Sequence, residues 1–263
     1  MQKSFLNPLT LVSAILGFTF LGLGTLSEIQ AAVITVPNQF ATQEGNSNNA
    51  VPFKFSSRYQ QVYVNSAFPS IIGPELITEI LFRPDAQFGA AFSATIPNIM
   101  INLSTTQFAP DGLSPVFANN VGPNNTVVYS GPLTLSSTFT GPPGGPKNFD
   151  ITITLQSPFL YDPSQGNLLL DVKDFTNNNA IPVFDAQNVV GDSISRIWND
   201  SNVNADTGFF GNGNPDDFSN SLGLVTQFVF SPIPEPSTVA LLGIALLLVF
   251  WCGYLRARCD NAH

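Results

Sequence analysis

Wherever apolar residues recur with a regular period between residues 33 and 231, that period is two, and no long stretch spaces them three and four apart as a helix requires. The cleanest case is 149–155. Phe149, Ile151, Ile153 and Leu155 alternate with Asp150, Thr152 and Thr154, as on a strand with one dry and one wet face. Residues 59–64, 76–82 and 96–103 repeat the pattern. In 76–82, Leu76, Thr78, Ile80 and Phe82 fall opposite Ile77, Glu79 and Leu81. Further short runs lie at 33–36, 127–135, 168–172, 181–184, 194–198 and 222–230. The 20 glycines and 21 prolines punctuate these runs, most densely at 140–146, and favour turns over long helices.

This pattern predicts an all-β domain, an antiparallel β-sandwich of jelly-roll type, with a barrel as the alternative. Polar stretches at 39–49, 108–125 and 199–220 read as loops. The two cysteines, Cys252 and Cys259, both follow the last strand, so the β region contains no disulfide and must hold itself together by its core.

Two apolar segments flank this region. Residues 1–32 read as a signal peptide, with Lys3 in the positive region, an apolar run at 9–26 and small residues Ala31 and Ala32 at the cleavage site; an uncleaved anchor is the alternative. Near the other end, residues 239–255 carry no charge. As a helix they rise ~1.5 Å per residue, and their leucines, valines, isoleucine and phenylalanine favour insertion by about −3 to −5 kcal/mol together. A transmembrane helix at 239–255 is therefore expected. Arg256 and Arg258 would form the membrane stop on the cytoplasmic side, with a short tail at 259–263.

Pro234, Glu235 and Pro236, the apolar segment after them and the arginines together resemble the PEP-CTERM sorting signal, also known as an ice-binding-protein C-terminal domain. The resemblance covers residues 233–258 and implies export in a Gram-negative bacterium. It also implies recognition by an exosortase, a membrane-embedded cysteine peptidase or transpeptidase, with cleavage near the triplet. Such substrates are often associated with exopolysaccharide or biofilm matrix. The expected organisation is a signal peptide at 1–32, an exported domain at 33–231, the sorting signal at 232–258 and the tail. The implied itinerary is an inner-membrane-anchored precursor with its body in the periplasm, then the cell surface or extracellular space.

Residues 32–236 carry sixteen acidic residues against six basic ones, a formal net charge of −10, so a nucleic acid is a poor partner. The single histidine is His263, which removes Ser-His-Asp, Cys-His and histidine-based zinc sites from the body. Carboxylate pairs remain at Glu75 with Glu79, Asp171 with Asp174 and Asp216 with Asp217, all easily explained as solvated acids. No catalytic residue is assigned, and the protein is expected not to be an enzyme.

Asp200, Asn202, Asn204 and Asp206 place side-chain oxygens at alternate positions, as calcium loops do. Ala205 stands where an EF-hand needs glycine and Gly211 where it needs glutamate, leaving only a looser calcium site or a loop bonded to its own backbone. No cofactor other than calcium is suggested. Trp198 is a candidate sugar platform, alongside Tyr59, Tyr63, Tyr129 and Tyr161. The leading expectation is a membrane-tethered, then exosortase-processed protein with a structural or adhesive role in exopolysaccharide matrix. The alternative is a lectin-like carbohydrate-binding module, with or without calcium. Ice binding, suggested by the second name of the tail, lacks the threonine array it would need.

Overall fold

The computed structural model describes residues 31–210, 221–233 and 243–252. The expected signal peptide, apart from its last two residues, the triplet at 234–236 and both tail arginines lie outside them.

Twelve strands form among the described residues: β1 (Ala32–Val36), β2 (Ser47–Asn49), β3 (Ser57–Tyr63), β4 (Glu75–Phe82), β5 (Phe92–Thr106), β6 (Thr126–Ser137), β7 (Ile151–Tyr161), β8 (Asn167–Asp174), β9 (Phe184–Asn188), β10 (Ile194–Asn199), β11 (Leu222–Leu224) and β12 (Thr226–Ser231). They divide into a four-stranded sheet ordered β1-β12-β4-β7, a five-stranded sheet ordered β10-β3-β8-β5-β6 and a three-stranded sheet ordered β11-β9-β2. All pairings between these strands are antiparallel.

The closed two-sheet jelly roll expected from the alternation does not form. A third sheet stands apart in the pairing. Helical segments at Asn38–Ala41, Asn65–Ala67, Phe117–Asn120, Pro163–Gln165 and 243–252 make the described chain mixed rather than all-β. The reason is physical. Periodicity reveals which face of a strand is wet, but not which strand lies beside it. β2 and β11 are three residues long and β9 five, bounded by turn residues, and they pair with one another instead of extending either larger sheet.

The expected transmembrane helix is corrected too. Among the described residues no helix is long and apolar enough to cross a membrane. The helical residues described near the C-terminus are 243–252. Apolarity favours burial of a segment but does not by itself make it a membrane span. The expected membrane tether and the inner-membrane-anchored precursor lose their structural basis with it.

The core joins residues of all three sheets. Ile77, Ile80, Phe82, Ile151, Ile153, Phe228 and Phe230 from the four-stranded sheet share one cluster with Tyr59, Tyr63, Ile99, Ile101, Leu168 and Leu170 from the five-stranded sheet, and with Phe184, Ala186, Leu222 and Leu224. Aromatic edges lock it. Tyr63 meets Phe228 at 4.9 Å and 88°, and Phe68 meets Tyr161 at 5.2 Å. Each fully buried phenylalanine contributes roughly 1.5–3 kcal/mol by transfer alone, which matters in a body without disulfides.

β7 keeps the alternation read from sequence: Ile151, Ile153 and Leu155 are buried and Thr152, Thr154 and Gln156 exposed. β4 departs from it. A bulge between Ile77 and Glu79 puts Ile77 on the same buried face as Ile80 and Phe82. β8 is buried on both faces, because the 108–121 segment, with its helical turn, covers Leu169, Val62 and Ile197 through Leu113 and Phe117.

At the end of β8, Asp174 is wholly buried. Its Oδ1 accepts from Thr176 N at 2.9 Å and Thr176 Oγ1 at 3.1 Å, while Oδ2 has no partner. Burial outweighs those bonds and pushes its carboxyl up to about 7. The folded chain therefore holds this proton more tightly than the unfolded chain does. The resulting stability is complete below the unfolded value near 4 and is lost as pH rises through about 7. Asp174→Asn should match the wild type in urea unfolding at pH 4 and exceed it by on the order of 2 kcal/mol at pH 8. Equal stability at pH 8 would show that the folded state carries no penalty there.

Candidate functional site

Among the described residues the fold gathers Glu44, Asp85 and Asp185 into one cluster. One oxygen from each lies within 4.8 Å of the others. They come from three distant places: the segment before β2, the segment leaving β4, and β9.

The gathering begins with backbone pairing. Asp185 N donates to Arg83 O at 3.0 Å, and Asp85 N to Val183 O at 3.3 Å, so the chain leaving β4 runs along β9. This places Arg83 beside Asp185, both essentially inaccessible to water. Arg83 Nε donates to Asp185 Oδ2 at 2.8 Å and its Nη2 lies 2.6 Å from the same oxygen. Nη2 also donates to Gln43 O, and the guanidinium sits 4.7 Å from the centre of the Phe149 ring. The other oxygen, Asp185 Oδ1, accepts Gly45 N at 3.0 Å. Residue 45 must be glycine here, since a Cβ would lie 2.1 Å from Ala186 O.

The pair thus fixes residues 43–45 against β9. Glu44 is then held by Ala86 N, which donates to its Oε1 at 2.7 Å, while Oε2 is buried without a partner. Asp85 Oδ1 accepts Gln87 N at 3.0 Å and Phe88 N at 2.6 Å, folding 85–89 into a tight turn. Burial pushes the Glu44 carboxyl above its ordinary value, opposed by the Ala86 bond and Arg83. Burial also pushes Asp185 up, against the pull of Arg83. Oxygen donors of this kind suit a hard cation such as calcium. Arg83, however, already supplies the positive charge, and both Asp185 oxygens are engaged.

Beside this cluster opens a cavity of about 470 Å³, lined by Glu44, Asn46, Asn48, Asp85, Gln87 and Phe88 among others. Its frame is rigid: Asn46 N donates to Gln187 Oε1, Asn46 Nδ2 to Asn188 O and Asn188 N to Asn46 Oδ1.

The residues singled out from sequence lie elsewhere. Asp200, Asn202, Asn204 and Asp206 are exposed on one loop. That loop is bonded largely to itself: Asn199 Oδ1 accepts Ser201 N and Asn202 N, and Asn202 Oδ1 accepts Asn204 N. Asp206 joins the fold through its backbone, its carbonyl accepting Phe117 N at 3.0 Å. Trp198 is partly buried against the core, with Arg196 over its ring at 5.3 Å and Phe209 at 6.3 Å. Tyr59, Tyr63 and Tyr161 are wholly buried and cannot offer a face to a sugar. Sequence reasoning did not single out Glu44, Asp85 or Asp185, and no local signal links them.

The chain carries a PEP-CTERM protein-sorting motif at residues 232–256, as its tail sequence led us to expect. Neither a curated protein nor a solved structure is significantly similar to the chain. The motif supports an interaction with an exosortase-type enzyme.

Breaking the buried pair from one side leaves an unpaired charge. Arg83→Ala should cost about 3–5 kcal/mol in urea unfolding, whereas Arg83→Met combined with Asp185→Leu should cost much less. Equal losses in the two variants would mean that packing, not charge burial, governs this region.

Proposed function

We propose that the protein is an exported, non-enzymatic component of a cell surface or secreted matrix, delivered through its C-terminal motif to an exosortase-type enzyme and contacting polysaccharide there. The observation that carries this reading is the sorting motif at 232–256. It begins one residue after β12 ends at Ser231, so the β-rich body is already complete where the motif starts.

The non-enzymatic part rests on residue content. The single histidine is His263 and both cysteines follow residue 250, so the body lacks the nucleophile–base pairs of common hydrolases. The acidic, disulfide-free body suits a solvated matrix.

Mass spectrometry of the protein recovered from a host with an active exosortase tests the delivery step. The mature C-terminus should fall near the triplet at 234–236, and replacing Pro234, Glu235 and Pro236 by alanine should leave a chain ending at His263. A wild-type chain that also ends at His263 would rule out processing.

A further inference from the structure

We propose that the cavity between residues 44–48 and 85–88 is a binding site for a neutral carbohydrate, which recognises sugar hydroxyls through Ser47, Asn48 and Gln87 and stacks a sugar ring on Phe88. This rests on the polysaccharide contact proposed above and gives it a location.

The cavity, about 470 Å³, falls within the ~300–1,000 Å³ span of small-molecule sites. Its lining chemistry narrows the ligand. Glu44 and Asp85 carry the charge of the lining and no cation accompanies them there, because the Arg83 guanidinium is spent on Asp185 and Gln43. Phosphates, sulfates and uronic acids would meet the like charge of the two acids in the lining, while Lys147, which acts on Glu44 from outside the lining, is bonded to Pro142 O. Apolar ligands are disfavoured as well, since Ala86 and Phe88 are the only apolar side chains in a lining of acids, amides and a hydroxyl.

What remains free matches a polyol. The Ser47 hydroxyl and the Asn48 and Gln87 amides bond to no other described residue. Together they offer donors and acceptors, as hydroxyls that both donate and accept require. The remaining polar groups are committed to holding the frame. Asn46 is tied to β9 on both sides of its amide, and Asp85 Oδ1 is filled by Gln87 N and Phe88 N. The donors and acceptors are therefore pre-positioned, which lowers the ordering cost of binding.

Phe88 is the decisive residue. It is 61% exposed although it sits in a turn pinned at 2.6 Å through its own N–H. Most of the phenylalanines in the described chain serve the core, and nothing in the packing calls for an aromatic ring here. A rigid turn holding a bare ring beside amides and a carboxylate is what the C–H face of a pyranose needs, with its hydroxyl edge turned to the polar groups.

The test titrates the full-length protein, by isothermal titration calorimetry, with neutral hexasaccharides of glucose, galactose, mannose and xylose and with oligo-uronates, each with and without EDTA. At least one neutral oligosaccharide should bind, EDTA should change its affinity less than twofold, and oligo-uronates should not bind. Phe88→Ala should weaken binding at least tenfold while circular dichroism and the thermal midpoint stay at wild-type values, and Gln87→Ala should weaken it as well. Neutral binding that Phe88→Ala leaves intact would overturn this site while leaving the polysaccharide reading standing. Binding confined to uronates, or abolished by EDTA, would overturn the direct neutral recognition. No binding to any oligosaccharide would overturn both readings.

Discussion

The buried pair of Arg83 and Asp185 is the interaction on which the organisation of the site depends. Taking two charges out of water costs several kcal/mol per ion, and their attraction returns only part of that. What the pair supplies is position. A guanidinium has donors in a fixed fork and a carboxylate has acceptors on both oxygens, so each can hold a third group while holding the other. Arg83 uses its surplus on Gln43 O and on the face of Phe149, and Asp185 uses its second oxygen on Gly45 N. Three segments without long strands of their own are thereby fixed to β9, and Glu44 and Asp85 inherit their places from that arrangement.

The same device recurs wherever the sheets must be joined. Gln61 lies on the inner face of β3 and behaves as a displaced peptide group: its Oε1 accepts Leu224 N at 2.7 Å and its Nε2 donates to Leu224 O at 2.8 Å. This clamps β11 to the five-stranded sheet across a gap no strand pairing spans. On the outer face, Gln60 Nε2 donates to Asp171 Oδ2 and to Phe117 O, Asn120 Nδ2 donates to Gln60 Oε1, and Arg58 pairs with Asp171 at 2.9 Å. A body without cysteines thus ties its loops to its sheets by satisfied buried polar groups, each of which demands one geometry.

This explains how much of the molecule could be read from the chain. The faces of β7 were legible because Ile151, Ile153 and Leu155 alternate without interruption. The faces of β4 were not, because the bulge after Ile77 adds a residue that period-two reading cannot anticipate. Sheet partnership was illegible throughout: Arg83 and Asp185 lie 102 residues apart, and neither has a neighbour that announces the other. The loop at 200–206 shows the converse. Its Asx side chains formed a visible local pattern, but short polar side chains bond their own backbone as readily as they bind a cation, and Asn199 and Asn202 do so here. The tail was legible as an address, because the order of its parts carries that signal, but the span expected from its apolarity is not found among the described residues.

The register of the four-stranded sheet connects the body to that address. β12, which leads into the sorting motif, is an inner strand between β1 and β4. β1 runs antiparallel to it, with Ala32 opposite Phe230 and Val36 opposite Thr226. The start of β1 and the end of β12 therefore emerge from the same end of the same sheet. Cutting the chain before Ala32 or after Ser231 removes none of these pairings. Ladders on both sides hold β12, and Phe228 and Phe230 anchor it further by their burial in the core. A cut at either place thus leaves the ladders of this sheet intact, and the cavity beside β2 belongs to a different sheet from β12.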